Sequence, residues 1–320
     1  MRTLLPLLVF AIGAFAGDAS FNGRWNIRPE DGRARAWWLE VNGAGTNEIT
    51  GKFVGAPGGD CDVVRDFAIR DGELSFSFTR GYVRVPGDDK ARQKGIYRAK
   101  LVDGRLDGSF SVEGFDKPAF KWTGTRAAVI TDKDDGTWVE AKPIKLFNGR
   151  NLKGWMPVEK NREFAWRVKD GLLTNMAAAP NIISERKFWN FKIHMEYRIP
   201  AASNSGLGLR GRYEVQIADS YGKPVGTHMM GALYSRIPPS VNASKPEGEW
   251  QTLDVTLIGR DVTVTLNDTK VIDKQVIEGP TAIVMDTDES TPGPVFIQGD
   301  HREIEVRSVV VTPLVKAGKR

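Results

Sequence analysis

Cysteine is nearly absent: Cys61 is the single thiol in 320 residues. That excludes an intramolecular disulfide and any zinc site assembled from several cysteines. Its neighbours Asp60 and Asp62 disfavour a thiolate nucleophile. No charge of one sign dominates, since 45 Lys and Arg stand against 40 Asp and Glu, a net of +5. Bases and acids interleave, and the densest basic stretches, Arg33 to Arg35 and Lys316 to Arg320, are short. With no aromatic-basic platform either, the pattern argues against a nucleic-acid partner. Beyond residue 16 no apolar run approaches the ~20 residues of a membrane-spanning helix. A convincing amphipathic helix is missing, as are the G-x-S-x-G, H-E-x-x-H and phosphate-loop motifs.

What is present is a globular composition, 41% hydrophobic and 27% charged, at a length that suggests about two domains. Residues 1–16, MRTLLPLLVFAIGAFA, read as a secretory signal peptide. Arg2 supplies the positive start, Leu4 to Ile12 the apolar stretch, and Ala14-Phe15-Ala16 the small-residue cleavage site. The mature chain is expected to begin near Gly17, to carry no membrane span, and to work in the periplasm or outside the cell.

After Gly17 the pattern is period-2 alternation broken by Asp-Gly turns starting at 31, 71, 103, 107, 135 and 170. The expectation is an all-β chain. Residues 17–126 predict a small antiparallel β-barrel-like accessory domain, a meander with strands at 21–28, 36–42, 47–54, 62–69, 73–79, 94–102, 105–112 and 118–126. Trp25 and Trp122 sit on its first and last strands, where closure would turn them inward. Trp37 and Trp38 place one ring on each face, the inner in the core and the outer available to a sugar or partner. Residues 127–143, polar and containing Asp-Asp-Gly and Pro143, predict a linker. Residues 144–314 predict a second unit with long strands suited to a curved sandwich, among them 189–199, 206–218, 250–258, 293–298 and 302–312. A basic tail, 315–320, ends the chain.

The polar faces of those strands carry the candidate chemistry. Along Leu207 to Asp219, Leu207, Leu209, Tyr213, Val215 and Ile217 fall on one face, and Arg210, Arg212, Glu214 and Gln216 on the other. Cation, carboxylate and amide together suit sugar hydroxyls. Asp219 reaches that face only through a β-bulge. Asn190 to Ile199 repeats the scheme, with Lys192, His194, Glu196 and Arg198 on the polar side. A hairpin across Pro200 to Ser205 would lay the two polar faces side by side. A cross-strand salt-bridge ladder on a solvated face accounts for the same pattern. Gln298, Asp300 and His301 end a third strand at a Gly turn, and His301 beside Asp300 has the makings of an oriented acid or base.

One series of motifs runs through the second unit. Leu146-Phe147-Asn148-Gly149-Arg150-Asn151-Leu152-Lys153-Gly154-Trp155 opens it. Asn204-Ser205-Gly206, Arg210-Gly211-Arg212-Tyr213-Glu214-Val215-Gln216-Ile217, Asp219-Ser220 and Gly231-Ala232-Leu233-Tyr234 follow. Lys245-Pro246, Gly248-Glu249-Trp250, Gly293-Pro294 and Gln298-Gly299-Asp300-His301 complete it. In order and spacing the series resembles the 3-keto-disaccharide hydrolase family over residues 144–314. The resemblance implies a concanavalin-like (jelly-roll) β-sandwich acting on glycosides oxidised to a ketone at C3. Such a ketone acidifies the C2 hydrogen, so a base can form an enediolate, the C1 leaving group departs by elimination, and water completes a net hydrolysis. Glu214, Asp219 and His301 are then the candidate catalytic groups. Glu196, Arg198, Asn204, Arg210, Gln216, Lys245 and Gln298 are candidates for binding the carbohydrate or its enolate. A divalent cation would suit an oxygen-rich enediolate site, with its identity and ligands left unassigned.

Two other readings stay open. Glu214-x-Gln216-x-x-Asp219 has nearly the spacing of the carboxylate strand of laminarinase-like glycosidases, which cleave an unoxidised glycoside directly. A lectin-like sandwich would bind glycans without cleaving them, with Trp189 or Trp250 as a stacking surface.

Overall fold

The computed structural model describes residues 18–30, 37–55, 60–80, 93–114, 118–176, 178–281, 285 and 288–318. The expected signal peptide, residues 1–16, lies outside them. The described chain is built of β-strands and splits into two compact units. The first holds the described residues up to Phe53 and those from Asp62 to Ala127; the second holds Val54, Gly55, Asp60, Cys61 and the described residues from Ala128 onward.

The strands of the first unit are β1 (Gly23–Pro29), β2 (Trp37–Asn42), β3 (Thr50–Val54), β4 (Cys61–Val64), β5 (Ala68–Arg70), β6 (Glu73–Arg80), β7 (Gln93–Val102), β8 (Arg105–Val112) and β9 (Phe120–Arg126). They pair antiparallel in the order β4-β3-β2-β1-β9-β8-β7-β6-β5. That order forces curvature. The edge strands β4 and β5 follow each other in the chain, and Val64 to Ala68 reaches at most about 14 Å. Laid flat, eight inter-strand gaps would separate the edges by about 38 Å. The sheet therefore curls until its edges come within about 14 Å of each other, giving the barrel-like unit expected, with the 62–69 segment divided into two short edge strands. Trp25 and Trp122 are fully buried, and Trp37 packs edge-on to Phe53, Tyr97 and Phe120. Trp38 is buried as well, at 0% exposure, so it offers no surface ring to a sugar.

The second unit holds β10 (Trp138–Glu140), β11 (Ile144–Phe147), β12 (Trp155–Pro157), β13 (Trp166–Lys169), β14 (Leu172–Asn175), β15 (Ile182–Phe188), β16 (Phe191–Arg198), β17 (Asn204–Leu209), β18 (Tyr213–Ala218), β19 (Gln251–Ile258), β20 (Asp261–Leu266), β21 (Thr269–Val276), β22 (Gly293–Ile297) and β23 (Glu305–Lys316). One sheet runs β13-β14-β23-β16-β19-β20-β21, with β10 and β11 also paired to β23; the other runs β12-β15-β22-β17-β18. Phe191, Ile193, Met195 and Tyr197 of β16 share one apolar core with Leu207, Leu209, Tyr213, Val215 and Ile217 of β17 and β18. The two antiparallel sheets thus close a jelly-roll sandwich, each buried aliphatic side chain contributing roughly 1.5–3 kcal/mol.

Three expectations are corrected here. Residues 206–218 are two strands: Arg210 and Gly211 take φ of +53° and +63°, and the Arg212 N–H closes the turn on the Leu209 carbonyl at 3.1 Å. Strands β16 and β17 do not form a hairpin but lie in opposite sheets, so Glu196 and Arg198 face away from Glu214. Residues 128–143 are packed into the second unit, where β10 pairs with the end of β23 and the Asp132 carboxylate accepts Trp189 Nε1–H and Asn190 Nδ2–H, both at 2.8 Å. The same pairing takes Val315 and Lys316 out of the expected tail and into β23.

Candidate active site

On the outer face of the smaller sheet, β17 presents Asn204 and then two glycines. Its core-facing residues are Ser205, Leu207 and Leu209; Gly206 and Gly208 face outward. A first row across the strands runs Phe296–Gly208–Glu214, and the Tyr234 N–H extends it by donating to the Glu214 carbonyl at 3.0 Å. A second row sets Gln216 beside Gly206, whose carbonyl accepts the Gln298 N–H at 3.0 Å, and ends on Ala232. The bridge Val215↔Leu233 makes residues 231–234 an added edge of this sheet. The glycines leave a floor between Phe296 and Gln298 on one side and Glu214 and Gln216 on the other. The Glu214 carboxylate leans over that floor, since a Cβ on Gly206 would lie 2.4 Å from Glu214 Oε1.

Glu214 is 2% exposed. Burial pushes its pKa up to about 8, and the charge of Asp300 adds to the rise. Gln216 Nε2 donates to Asn204 Oδ1 at 3.3 Å, and turning the amide over would instead bring its nitrogen to 3.1 Å from Glu214 Oε1 and 3.2 Å from the Ser205 carbonyl. Gln298 Oε1 is buried with no hydrogen-bond partner among the described residues, leaving an acceptor for a ligand hydroxyl.

Asp300 enters from the turn after β22. Burial works to raise its pKa, but the His301 hydrogen bond and charge outweigh it, with help from its own backbone and Asn181, and hold the carboxyl below its ordinary range. His301 Nδ1 lies 2.8 Å from Asp300 Oδ1, and that bond raises the imidazole against the opposing effect of burial. Asn181 also accepts the Gly299 N–H at 2.8 Å. Gly299 itself has no room for a side chain, because a Cβ would meet the Trp166 ring at 2.7 Å. Two carboxyls therefore lie within electrostatic reach of each other with their pKa values driven apart, that of Glu214 upward and that of Asp300 downward.

Of the residues expected from sequence, Glu214, Gln216, Gln298 and His301 belong to this groove, and Asn204 stands at its end, opposite Ala218. The ladder reaches that pair without a bulge, so Asp219 does not join Glu214. Its Oδ2 instead accepts the Ala202 N–H at 3.0 Å and lies 3.6 Å from Lys223 Nζ. Arg210 is buried in the hairpin turn, donating to the Trp189 and Gly259 carbonyls and to Asn190 Oδ1 at 2.6, 2.9 and 2.9 Å. Glu196 pairs with His194 and Arg307, and Arg198 with Glu305, on the other sheet. Lys245 is exposed and donates from Nζ to the Trp250 carbonyl at 3.1 Å. Trp189 is covered by the Arg210 guanidinium and Trp250 lies under Arg198 and Arg307, so each ring already has a cationic partner. Sequence reasoning missed Asn181 and Tyr234. Asn181 carries no local signal, since only long-range pairing brings β15 beside β22. Among the described residues no three His, Cys, Asp or Glu side chains converge to hold a metal ion.

Residues 142–312 match the model of the 3-keto-alpha-glucoside-1,2-lyase-like domain. The chain belongs to that family. The matched span contains all of the groove residues named above. A 3-keto-disaccharide hydrolase of Bacteroides thetaiotaomicron is 22% identical over 166 residues, covering 41% of this chain and 57% of that protein. The chain thus spans little more than half the length of this curated relative. Among solved structures, a Parabacteroides distasonis ATCC 8503 protein provisionally called a glycosyl hydrolase is 26% identical, with 63% of this chain and 94% of that one covered and a TM-score of 0.47. SCLam, a non-specific endo-beta-1,3(4)-glucanase of family GH16, is 11% identical, with 60% and 95% covered and a TM-score of 0.36.

Proposed function

We propose that the protein cleaves 3-keto-glycosides by elimination followed by hydration, with the smaller sheet's groove as the active site. The observation that carries this reading is the split between Glu214 and Asp300. A carboxyl with a pKa near 8 is a strong base once ionised, suited to removing a carbon-bound proton. Glu214 takes the C2 hydrogen, and the electrons of that bond pass to the C3 ketone oxygen as an enediolate. They return to form the C1–C2 double bond while the C1–oxygen bond breaks. His301, held by Asp300 in a hydrogen bond that raises its pKa, gives its proton to the departing oxygen. Water then adds at C1 and yields the 3-keto sugar. Gln216, Gln298 and Asn204 bind hydroxyls or the enolate oxygen. The mature enzyme is proposed to act outside the cytoplasm, with Gly17 as the amino terminus found by sequencing the secreted protein.

The test offers p-nitrophenyl glucoside and its 3-keto counterpart, with and without EDTA, to the purified mature chain. Nitrophenol release from the keto substrate alone is the expected result, and sensitivity to EDTA would add a cation. Glu214→Gln should lower kcat/KM by about 100-fold or more, and the wild-type rate should climb with pH as Glu214 ionises around 8. Release from the plain glucoside would move the assignment to a two-carboxylate glycosidase. Sugar binding by calorimetry without turnover would leave a lectin-like module.

A further inference from the structure

The groove has a donor that the mechanism above does not use. Tyr234 stands next to Glu214 across the added edge, on the same outward face, because Val215 and Leu233 bridge and the Tyr234 N–H bonds the Glu214 carbonyl. Its ring is half-buried, and its hydroxyl has no hydrogen-bond partner among the described residues. Burial, with the charges of Asp60 and Glu214, raises its pKa to about 12, so the hydroxyl keeps its proton at neutral pH.

The ring is held from behind. His228 meets it edge-on, with ring centroids 4.7 Å apart and planes at 89°. His228 Nδ1 lies 3.3 Å from Thr227 Oγ1, and Nε2 lies 3.0 Å from Asp60 Oδ1. Asp60 comes from outside the family-matched residues 142–312, yet it groups with the second unit, as does Cys61. Its place there is fixed by the Cys61 N–H donating to Ser235 Oγ at 3.1 Å, and the Ser235 N–H in turn donates to the Thr227 carbonyl at 3.0 Å. Asp60, His228 and Tyr234 thus form a continuous chain of contacts ending beside the proposed base.

We propose that Tyr234 donates its hydroxyl to the C3 ketone oxygen of the substrate, and that Asp60, acting through His228, is a positioning residue for it. This rests on the keto-glycoside reading. Removing the C2 proton places negative charge on that oxygen, and a neutral phenol already in place stabilises it without reorganisation. A carboxylate could not serve there, because it would repel the developing charge and offers no proton. The consequence is that Asp60, a residue outside the matched domain, positions a catalytic group.

Steady-state kinetics of the full mature chain on p-nitrophenyl 3-keto-glucoside test this. Tyr234→Phe should lower kcat by about 100-fold while KM stays within about two-fold, as expected for a donor whose bond strengthens only as the enediolate forms. Asp60→Asn should lower kcat by about 10-fold with an unchanged melting temperature, and should cost nothing further in the Tyr234→Phe background. Full activity of Tyr234→Phe overturns the assignment of the donor. Losses that multiply in the double variant overturn the positioning role of Asp60. If the wild-type chain fails to turn over the keto substrate, the underlying reading falls with both; if it turns over, only these two assignments are at stake.

Discussion

A single buried carboxyl sets much of this protein's expected behaviour with pH. Glu214 titrates near 8 in the folded chain and near 4.5 when exposed. Between those values the folded state keeps a proton that the unfolded state has lost. The stability this contributes is full below about pH 4.5 and is lost as pH rises through 8. Glu214→Gln abolishes the slope without emptying the site. The variant should therefore gain in melting temperature over the wild type when circular-dichroism melts are moved from pH 5 to pH 9. The identity of this residue was legible in the strand pattern, as was the partnership of Asp300 with His301. What the pattern concealed was that Asp300, not Asp219, is the carboxyl whose charge reaches Glu214. The i+5 spacing from Glu214 to Asp219 is local, whereas Asp300 arrives from a strand some 80 positions away through the pairing of β17 with β22.

Among the elements, β17 decides the shape of the groove. Its outward glycines let the Glu214 carboxylate settle over the strand, and only the mobile end of that side chain opposes a Cβ at Gly206. Gly206→Ala should fold with a melting temperature within a few degrees of the wild type but lose about 10-fold or more in kcat/KM on the keto substrate, through displacement of Glu214. Gly293 is different: a Cβ there lies 2.0 Å from the Arg210 carbonyl oxygen, a backbone atom that cannot swing away. Gly293→Ala should destabilise the fold by about 2 kcal/mol or more in urea denaturation. The β17–β18 hairpin itself escaped the period-2 reading. Its three-residue connection preserves parity, so Leu209 and Tyr213 stand opposite each other and the alternation continues unbroken. The two left-handed residues Arg210 and Gly211 mark the turn, and Arg210 is an uncommon residue for it.

For the molecule as a whole, the segment after the first unit is structural. Asp132 accepts two hydrogen bonds from Trp189 and Asn190, and its carbonyl packs 2.0 Å from where a Cβ on Gly259 would stand. Asp132→Ala leaves two donors unpaired and should cost the second unit about 1–3 kcal/mol in denaturant unfolding. Polar composition suggested a tether because Lys133, Asp134 and Asp135 carry no apolar stripe. Polar side chains can nonetheless anchor a segment when buried partners await them, and composition does not reveal those partners.

By itself the sequence determined the all-β class, the positions of most strands to within a few residues and the apolar face of the long strands. These follow from side-chain alternation and turn residues, which are local properties of the chain. It also determined the family, because the motif series is a linear record. Only the tertiary structure decided which sheet each strand joins. That choice separated Glu196 and Arg198 from Glu214, took Arg210 into a buried turn, and brought Asn181, Asp300 and Tyr234 to the groove. Sheet membership depends on how apolar faces find one another across long stretches of chain, and no period along the sequence encodes it.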